Sequence, residues 1–246
     1  MIYQVGSLLM FSCRFLTIIA TLIFHANTIL AADTPVHTDS TRLILRVKSI
    51  KDVRDQSIVK QGFDYSCGAG ALATLLTYGL GDIASEEEIL VQLFGYLSKD
   101  EEAFKKKEGL SLLDLQRIAQ ERGHEAHGFR LAPEYLAKLK RPVIVFIRPN
   151  GYEHFSVLKG IRNDRVYLAD PALGNVRMPI YKFLLDMWLD TNGKGIIFVV
   201  ERKDGQWAEE HLLKTPASAP VQPELLTIRE MIEVGNPYVR YPHLSR

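Results

Sequence analysis

Cys67 closes the run Gln61-Gly62-Phe63-Asp64-Tyr65-Ser66, so a side-chain amide stands six residues before a thiol. Ala69, Leu72, Leu75 and Leu76 recur at helical spacing, and Gly79 with Gly81 ends the pattern. This predicts a helix that starts at or near Cys67. Backbone N–H groups without in-helix partners and the positive end of the helix dipole favour a thiolate there. His154 stands just before the apolar run Phe155–Leu158. Its imidazole would act as base toward the thiol and then as acid toward the leaving group. Asp170 follows Val166–Ala169 and precedes Pro171, where a carboxylate would hold the far ring nitrogen. The Gln61 amide would pair with a backbone N–H at Cys67 to receive an oxyanion. Nucleophile, base, orienter and oxyanion donor are the parts of acyl transfer through a thioester.

Residue types alone leave a second reading open, in which Cys67 is a buried thiol used as a small hydrophobe. The N-terminus bears on the choice. Arg14 is the only charged residue before Asp33, Phe15–Phe24 is apolar apart from Thr17 and Thr21, and Ala31 and Ala32 follow. A positive flank, a short apolar core and small residues describe a signal peptide over residues 1–32, and an uncleaved N-terminal anchor is the alternative. Cys13 precedes most of that apolar core, so it reads as part of the signal and not as a lipid site. Cleavage near residue 32 removes Cys13 and Arg14, takes the formal charge from +1 to zero and leaves one cysteine. An unpaired cysteine in an oxidising compartment is flagged as a reactive thiol.

The elements that must position these groups fall in two blocks. Leu43, Leu45 and Val47 alternate with Ile44, Arg46 and Lys48, as in a strand. After the Cys67 helix, Ser85 with Glu88 and Ser111 with Asp114 mark two further helix starts of the capping-box type. A short helix or turn is expected over residues 133–139. From Pro142 the chain changes character. Apolar runs at 143–147, 155–158, 166–169, 176–178 and 196–200 alternate with turns at Gly151, Asn163-Asp164, Gly174 and Gly193. Helices first and strands afterwards predict an α+β fold, with N-terminal helices packed on a mostly antiparallel sheet of hairpins or a meander. Residues 33–204 form the expected domain. Residues 205–246 form a C-terminal extension, with an extended stretch at 217–223 and a short helix near 225–234, readable as a docking arm. The balanced charge carries no basic face for nucleic acid, and the run Lys105–Lys107 reads as solvated surface. His124 and His127 have a spacing seen in some metal sites, but no second pair accompanies them, so no metal and no cofactor are expected.

The stretch Gln61, Asp64, Cys67, Gly68, Ala71 and Leu72 resembles the bacteriocin-processing (double-glycine) papain-like cysteine peptidase family. In that family a glutamine stands six residues before a cysteine followed by glycine. Gly123, Ala126, Gly128 and Phe129 look like the family's strand after its third helix, and Pro142–Phe146 looks like the next strand. His154-Phe155 matches its histidine motif, and Asp170, Pro171 and Gly174 match its Asp-Pro plus glycine. Phe183, Trp188 and Gly195 match its closing pattern. The likeness runs in order over about residues 55 to 201. It implies a papain-like fold, Cys67 and His154 as catalytic, Asp170 as orienter and Gln61 as oxyanion donor. In one departure, Ser66 occupies the place before the cysteine where the family often has an acid.

The best-known members are N-terminal domains of ABC exporters that cut leaders after Gly-Gly. This chain shows no Gly-rich nucleotide loop, so no ATP is expected. The run Phe63–Leu76 is closer to free-standing exported members, among them those encoded with functional-amyloid (Fap) export systems. The expectation is an exported cysteine endopeptidase, periplasmic or secreted. Its substrate would be a peptide or protein such as an exported amyloid or a leader-bearing polypeptide, with room for association with a membrane or secretion machinery. The alternatives are a non-hydrolytic peptide-binding or chaperone module on the same fold, and a thiol amidase or transpeptidase acting on cell-wall peptide.

Overall fold

The computed structural model describes residues 33–38, 41–46, 49–205, 207 and 211–215. The signal or anchor segment, Cys13, the extended stretch at 217–223 and the helix near 225–234 lie outside the described residues. The chain divides into two units, residues 1–53 and 54–246. In the first, β1 (Asp33–Thr38) and β2 (Thr41–Arg46) form an antiparallel hairpin with Asp33 opposite Arg46. The short helix α1 (Ile50–Asp55) carries the chain across the division.

The second unit begins its helical block with a 3-10 turn at Asp64–Ser66, which runs directly into α2 (Cys67–Leu75). Every residue of α2 is buried. After Cys67 the helix is built from Gly, Ala, Leu and Thr, apolar or small enough for neighbours to close in on all sides. Its last turn, Leu76–Leu80, widens to a π-turn and stops at Gly81, whose φ of 75° suits glycine. α3 (Glu86–Phe94) and α5 (Leu112–Glu121) start where Ser85 and Ser111 predict. Each serine accepts the backbone N–H of Glu88 or Asp114, and each acid reaches back. Such caps contribute about 1 kcal/mol each. A helix not anticipated from the sequence, α4 (Lys99–Glu108), starts at a third capping box, Ser98 with Glu101.

The sheet has six strands: β3 (His124–Leu131), β4 (Val143–Ile147), β5 (His154–Arg162), β6 (Arg165–Asp170), β7 (Gly174–Pro179) and β8 (Gly195–Arg202). All pairings are antiparallel, in the order β3-β8-β4-β5-β6-β7. β4 to β7 form the expected meander. β8, last in sequence, enters between β3 and β4. The fold is therefore α+β as predicted.

Both faces of the sheet are covered. Ile144, Phe155, Val157, Ala169, Phe198 and Val200 pack under α2, α3 and α5. Val143, Val145, Leu158, Val166, Leu168 and Ile197 face a second cluster, closed by Leu136 of the one-turn α6 (Pro133–Leu136) and by Phe183 and Trp188. Phe183 ends α7 (Ile180–Phe183), and Trp188 ends the π-turn that follows it. The covering on both sides explains why 143–147 is an unbroken apolar run. Trp188 lies flat against Gly195, where a Cβ would sit 2.0 Å from the indole.

Beyond β8 the chain folds back onto the helical side. Leu213 is fully buried, Leu212 N–H donates to Tyr78 O at 2.9 Å, and Trp207 and Leu213 meet Gly79 at the end of α2. Among the described residues, no helix is long and apolar enough to cross a membrane.

Candidate active site

Cys67 is the first residue of α2, is 6% exposed and carries a free thiol. His154 opens β5 and Asp170 closes the adjacent β6. Val157 pairs with Ala169, so the register sets Asp170 beside Ser156, two residues from His154 on the same side of the strand. His154 Nε2 lies 2.9 Å from Asp170 Oδ2. The other carboxylate oxygen, Oδ1, accepts the Ala172 and Leu173 N–H groups at 2.9 Å each. The Cys67 thiol is the second group that acts on the imidazole, raising its pKa together with Asp170. Backbone amides, carboxylate and imidazole thus form one hydrogen-bonded chain, and the Cys67 thiol is near enough to the ring to act on its charge.

The electrostatics follow from that arrangement. Burial pulls the His154 pKa down, but Asp170 and the Cys67 sulfur outweigh it and hold the ring at about 9. Burial raises Asp170, and the His154 ring with the two backbone N–H donors more than reverses this, leaving it below the ordinary carboxylate range. Both groups are 6% exposed or less, so the pair is little screened by solvent.

Close approach of helix and sheet makes the arrangement possible. A Cβ on Gly70 would sit 2.9 Å from Pro171 and 3.3 Å from Val59 O. Only glycine lets α2 lie this near the chain that leaves Asp170. The segment before the site is tied to both partners. Val59 N–H donates to Thr74 Oγ1 of α2 at 2.9 Å, and Gln61 N–H donates to Pro171 O at 3.1 Å. The Gln61 side chain donates one amide N–H to Phe63 O at 3.0 Å.

A groove of about 390 Å³ opens beside Cys67. Phe146, Phe155 and Leu110 give it an apolar wall, and Asp64, Tyr65 and Tyr152 form its rim. Tyr152 spans it, donating its hydroxyl to Asp64 O at 3.0 Å with its ring 6.3 Å from that of His154. Sequence reasoning did not single out Tyr152; its contact joins residues 88 positions apart, and no local pattern marks it. α4 also borders the groove through Lys106, Lys107 and Glu108. The reading of Lys105–Lys107 as wholly solvated surface needs correcting at one residue, because Lys105 turns onto Asp114 and its side chain is 18% exposed. Lys106 and Lys107 are exposed.

His124 and His127 do not converge. They lie three apart on β3, hence on opposite faces, and His124 Nε2 instead meets Asp82 Oδ2 at 3.0 Å. Among the described residues, no cluster of three or more His, Cys, Asp or Glu side chains is arranged to hold a metal ion.

A buried thiol at a helix start, near an imidazole–carboxylate pair from an antiparallel sheet, is the architecture of a papain-like cysteine peptidase domain. Residues 55–188, just over half of the chain, match the peptidase C39 family. The chain is 36% identical over 155 residues to the probable functional amyloid protease FapD of Pseudomonas fluorescens, and likewise to FapD of Pseudomonas aeruginosa. These matches take in 63% of this chain and 65% of each relative, so the likeness spans a little under two thirds of those proteins. Among solved structures, a double-glycine-motif protease from an AMS/PCAT transporter, in complex with its leader peptide, is 29% identical. It aligns with 58% of this chain and 89% of its own, at a TM-score of 0.45. The chain belongs to the peptidase C39 family.

Proposed function

We propose that the protein is an exported cysteine endopeptidase that cleaves a secreted peptide or protein through a thioester on Cys67. The buried Asp170–His154 pair, with Cys67 acting on its imidazole and lining the groove, carries this reading. The Cys67 thiolate attacks the scissile carbonyl carbon, a C–S bond forms, and the carbonyl oxygen becomes an oxyanion. The Gln61 amide uses its second N–H, together with the Cys67 backbone N–H, to receive that charge. Protonated His154 gives its proton to the leaving amine as the C–N bond breaks. Neutral His154 then takes a proton from water, whose oxygen attacks the thioester. The acid is released, and the thiolate–imidazolium pair is restored. Asp170 holds His154 Nε2–H throughout, which leaves Nδ1 facing the sulfur.

Membership of the peptidase C39 family supports this chemistry, and the apolar wall with its open rim suits an extended peptide. The likeness to FapD suggests a substrate of the same kind, an exported amyloid-type polypeptide handled alongside secretion machinery. Residues 1–32 serve as the export signal, residues 33–204 as the peptidase domain and residues 205–246 as an extension.

The test is cleavage of candidate secreted polypeptides by the purified chain, read by mass spectrometry. Defined cuts that vanish in Cys67→Ala are expected. Gln61→Ala should lose about 2.7–4 kcal/mol of transition-state stabilisation with its melting temperature kept. Cuts that persist in Cys67→Ala would end the proposal.

A further inference from the structure

The loop that carries Gln61 and leads into Cys67 is held by a residue outside it. Glu86, the first residue of α3, turns its carboxylate back onto this loop. Its two oxygens accept the Gly62 N–H at 2.8 and 2.9 Å, and Oε1 also accepts the Ser66 hydroxyl. Ser66 is fully buried, and its Oγ accepts the Phe63 N–H at 3.2 Å. The Phe63 carbonyl in turn accepts the Ser66 N–H at 3.2 Å and the Gln61 side-chain N–H at 3.0 Å. Gln61 Oε1 is buried with no partner among the described residues. The Phe63 carbonyl is therefore what holds the amide, and it is itself held through Ser66 by Glu86.

Capping of α3 does not account for this arrangement. Ser85 and Glu88 already form its capping box, and Glu87 supplies a further acid in the first turn. The Glu86 carboxylate instead spends its acceptors on two backbone or hydroxyl donors of the 61–66 loop. That delivers a carboxylate, from a separate helix, beside the residue that precedes the nucleophile.

We propose that Glu86 is a positioning residue for acyl transfer at Cys67. It fixes the Phe63–Ser66 turn so that the Gln61 amide points at the developing oxyanion. This rests on the reading of Gln61 as an oxyanion donor, and it adds the group that sets the geometry of that donor.

Two probes separate the roles on the full chain. Acylation by p-nitrophenyl acetate develops an oxyanion; alkylation by iodoacetamide displaces iodide at a saturated carbon and develops none. Glu86→Ala should slow acylation about 10-fold or more, as loss of an orienting partner does, and leave alkylation within about twofold. Glu86→Gln keeps an acceptor for Ser66 and should lose less. The double variant Glu86→Ala/Gln61→Ala should be no slower than Gln61→Ala, because the two act through one group. Unchanged acylation in Glu86→Ala, a parallel fall in alkylation, or losses that multiply in the double variant would each overturn the proposal. If Glu86→Ala does not fold, Glu86→Gln at an unchanged melting temperature decides: slower acylation supports the proposal and wild-type acylation defeats it. Wild-type acylation in Gln61→Ala would instead show that the oxyanion reading itself has failed.

Discussion

The molecule contains two carboxylate–imidazole pairs of nearly equal geometry. His154 lies 2.9 Å from Asp170, and His124 lies 3.0 Å from Asp82; both rings bond through Nε2, and both are less than a tenth exposed. Their surroundings differ. Asp170 is buried and spends its second oxygen on two backbone amides, whereas Asp82 is part-exposed and shared with Arg122 at 2.6 and 2.9 Å. The Cys67 thiol helps to raise the His154 pKa, while Nδ1 of His124 has no partner among the described residues. Arg122 neutralises Asp82 and extends to Ile83 O, which makes that cluster a clamp between the end of α2 and the start of β3. A buried His–Asp pair is thus not in itself a site. What distinguishes the two rings is their second neighbour: a thiol acts on His154, and Arg122 takes up the carboxylate beside His124.

That comparison can be broken by substitution. Cys67→Ala and His154→Ala should lower peptide cleavage by about 10³-fold or more, while His124→Ala should keep it within a few-fold. Steady-state cleavage by the three variants checks this, and a loss in His124→Ala matching that in His154→Ala would erase the distinction. Next in size, Asp170→Ala should cost about 10–100-fold in turnover, since the ring loses its orienting partner. Asp170→Asn should cost less, because an amide oxygen can still accept Nε2–H. Kinetics of both variants would show the order.

The pH response sharpens the contrast further. The folded His154 pKa, about 9, lies above its ordinary 6.5. Its contribution to stability is therefore full below about 6.5 and is lost as pH rises through about 9. Asp170 and Asp82 are both lowered from 3.8, so their contributions are present above that value and are lost as pH falls through the folded pKa. Cleavage and melting temperature should both decline as pH rises through about 9. His154→Ala should lose the alkaline decline in stability, and Asp82→Ala should keep it. The smallest effect belongs to the clamp. Asp82→Ala should lower stability by about 1–3 kcal/mol, by leaving Arg122 and His124 short of an acceptor, with turnover near wild type. Urea unfolding beside an activity assay measures both.

The parts of the candidate site were legible because their signals are local. Cys67 announces a helix start through the spacing of Leu72, Leu75 and Leu76, and Ser85 and Ser111 announce two more through acids three residues on. The charged helix α4 was missed, since Lys99–Glu108 has no apolar face to reveal a period; only Ser98 with Glu101 betrays it. The insertion of β8 between β3 and β4 was not readable either. It pairs His124 with Arg202, and nothing near either residue encodes the other. Tyr152 and Glu86 reach the site across 88 and 20 or more residues, and they were invisible for the same reason. Asp170 was found only because Pro171 and the preceding strand marked a terminus.

The fold-back of Trp207 and residues 211–215 bears on the order in which the protein can be made. Leu213 fills a place against the end of the Cys67 helix with none of its surface left exposed. Leaving such a leucine site empty costs about 2–5 kcal/mol, a large part of what holds a typical domain together. A nascent chain that has delivered all six strands is consequently still short of its own keystone. The segment that packs against the end of the Cys67 helix is synthesised after all six strands of the sheet, some 145 residues after Cys67 itself, so the helix acquires its full packing only when this stretch has emerged.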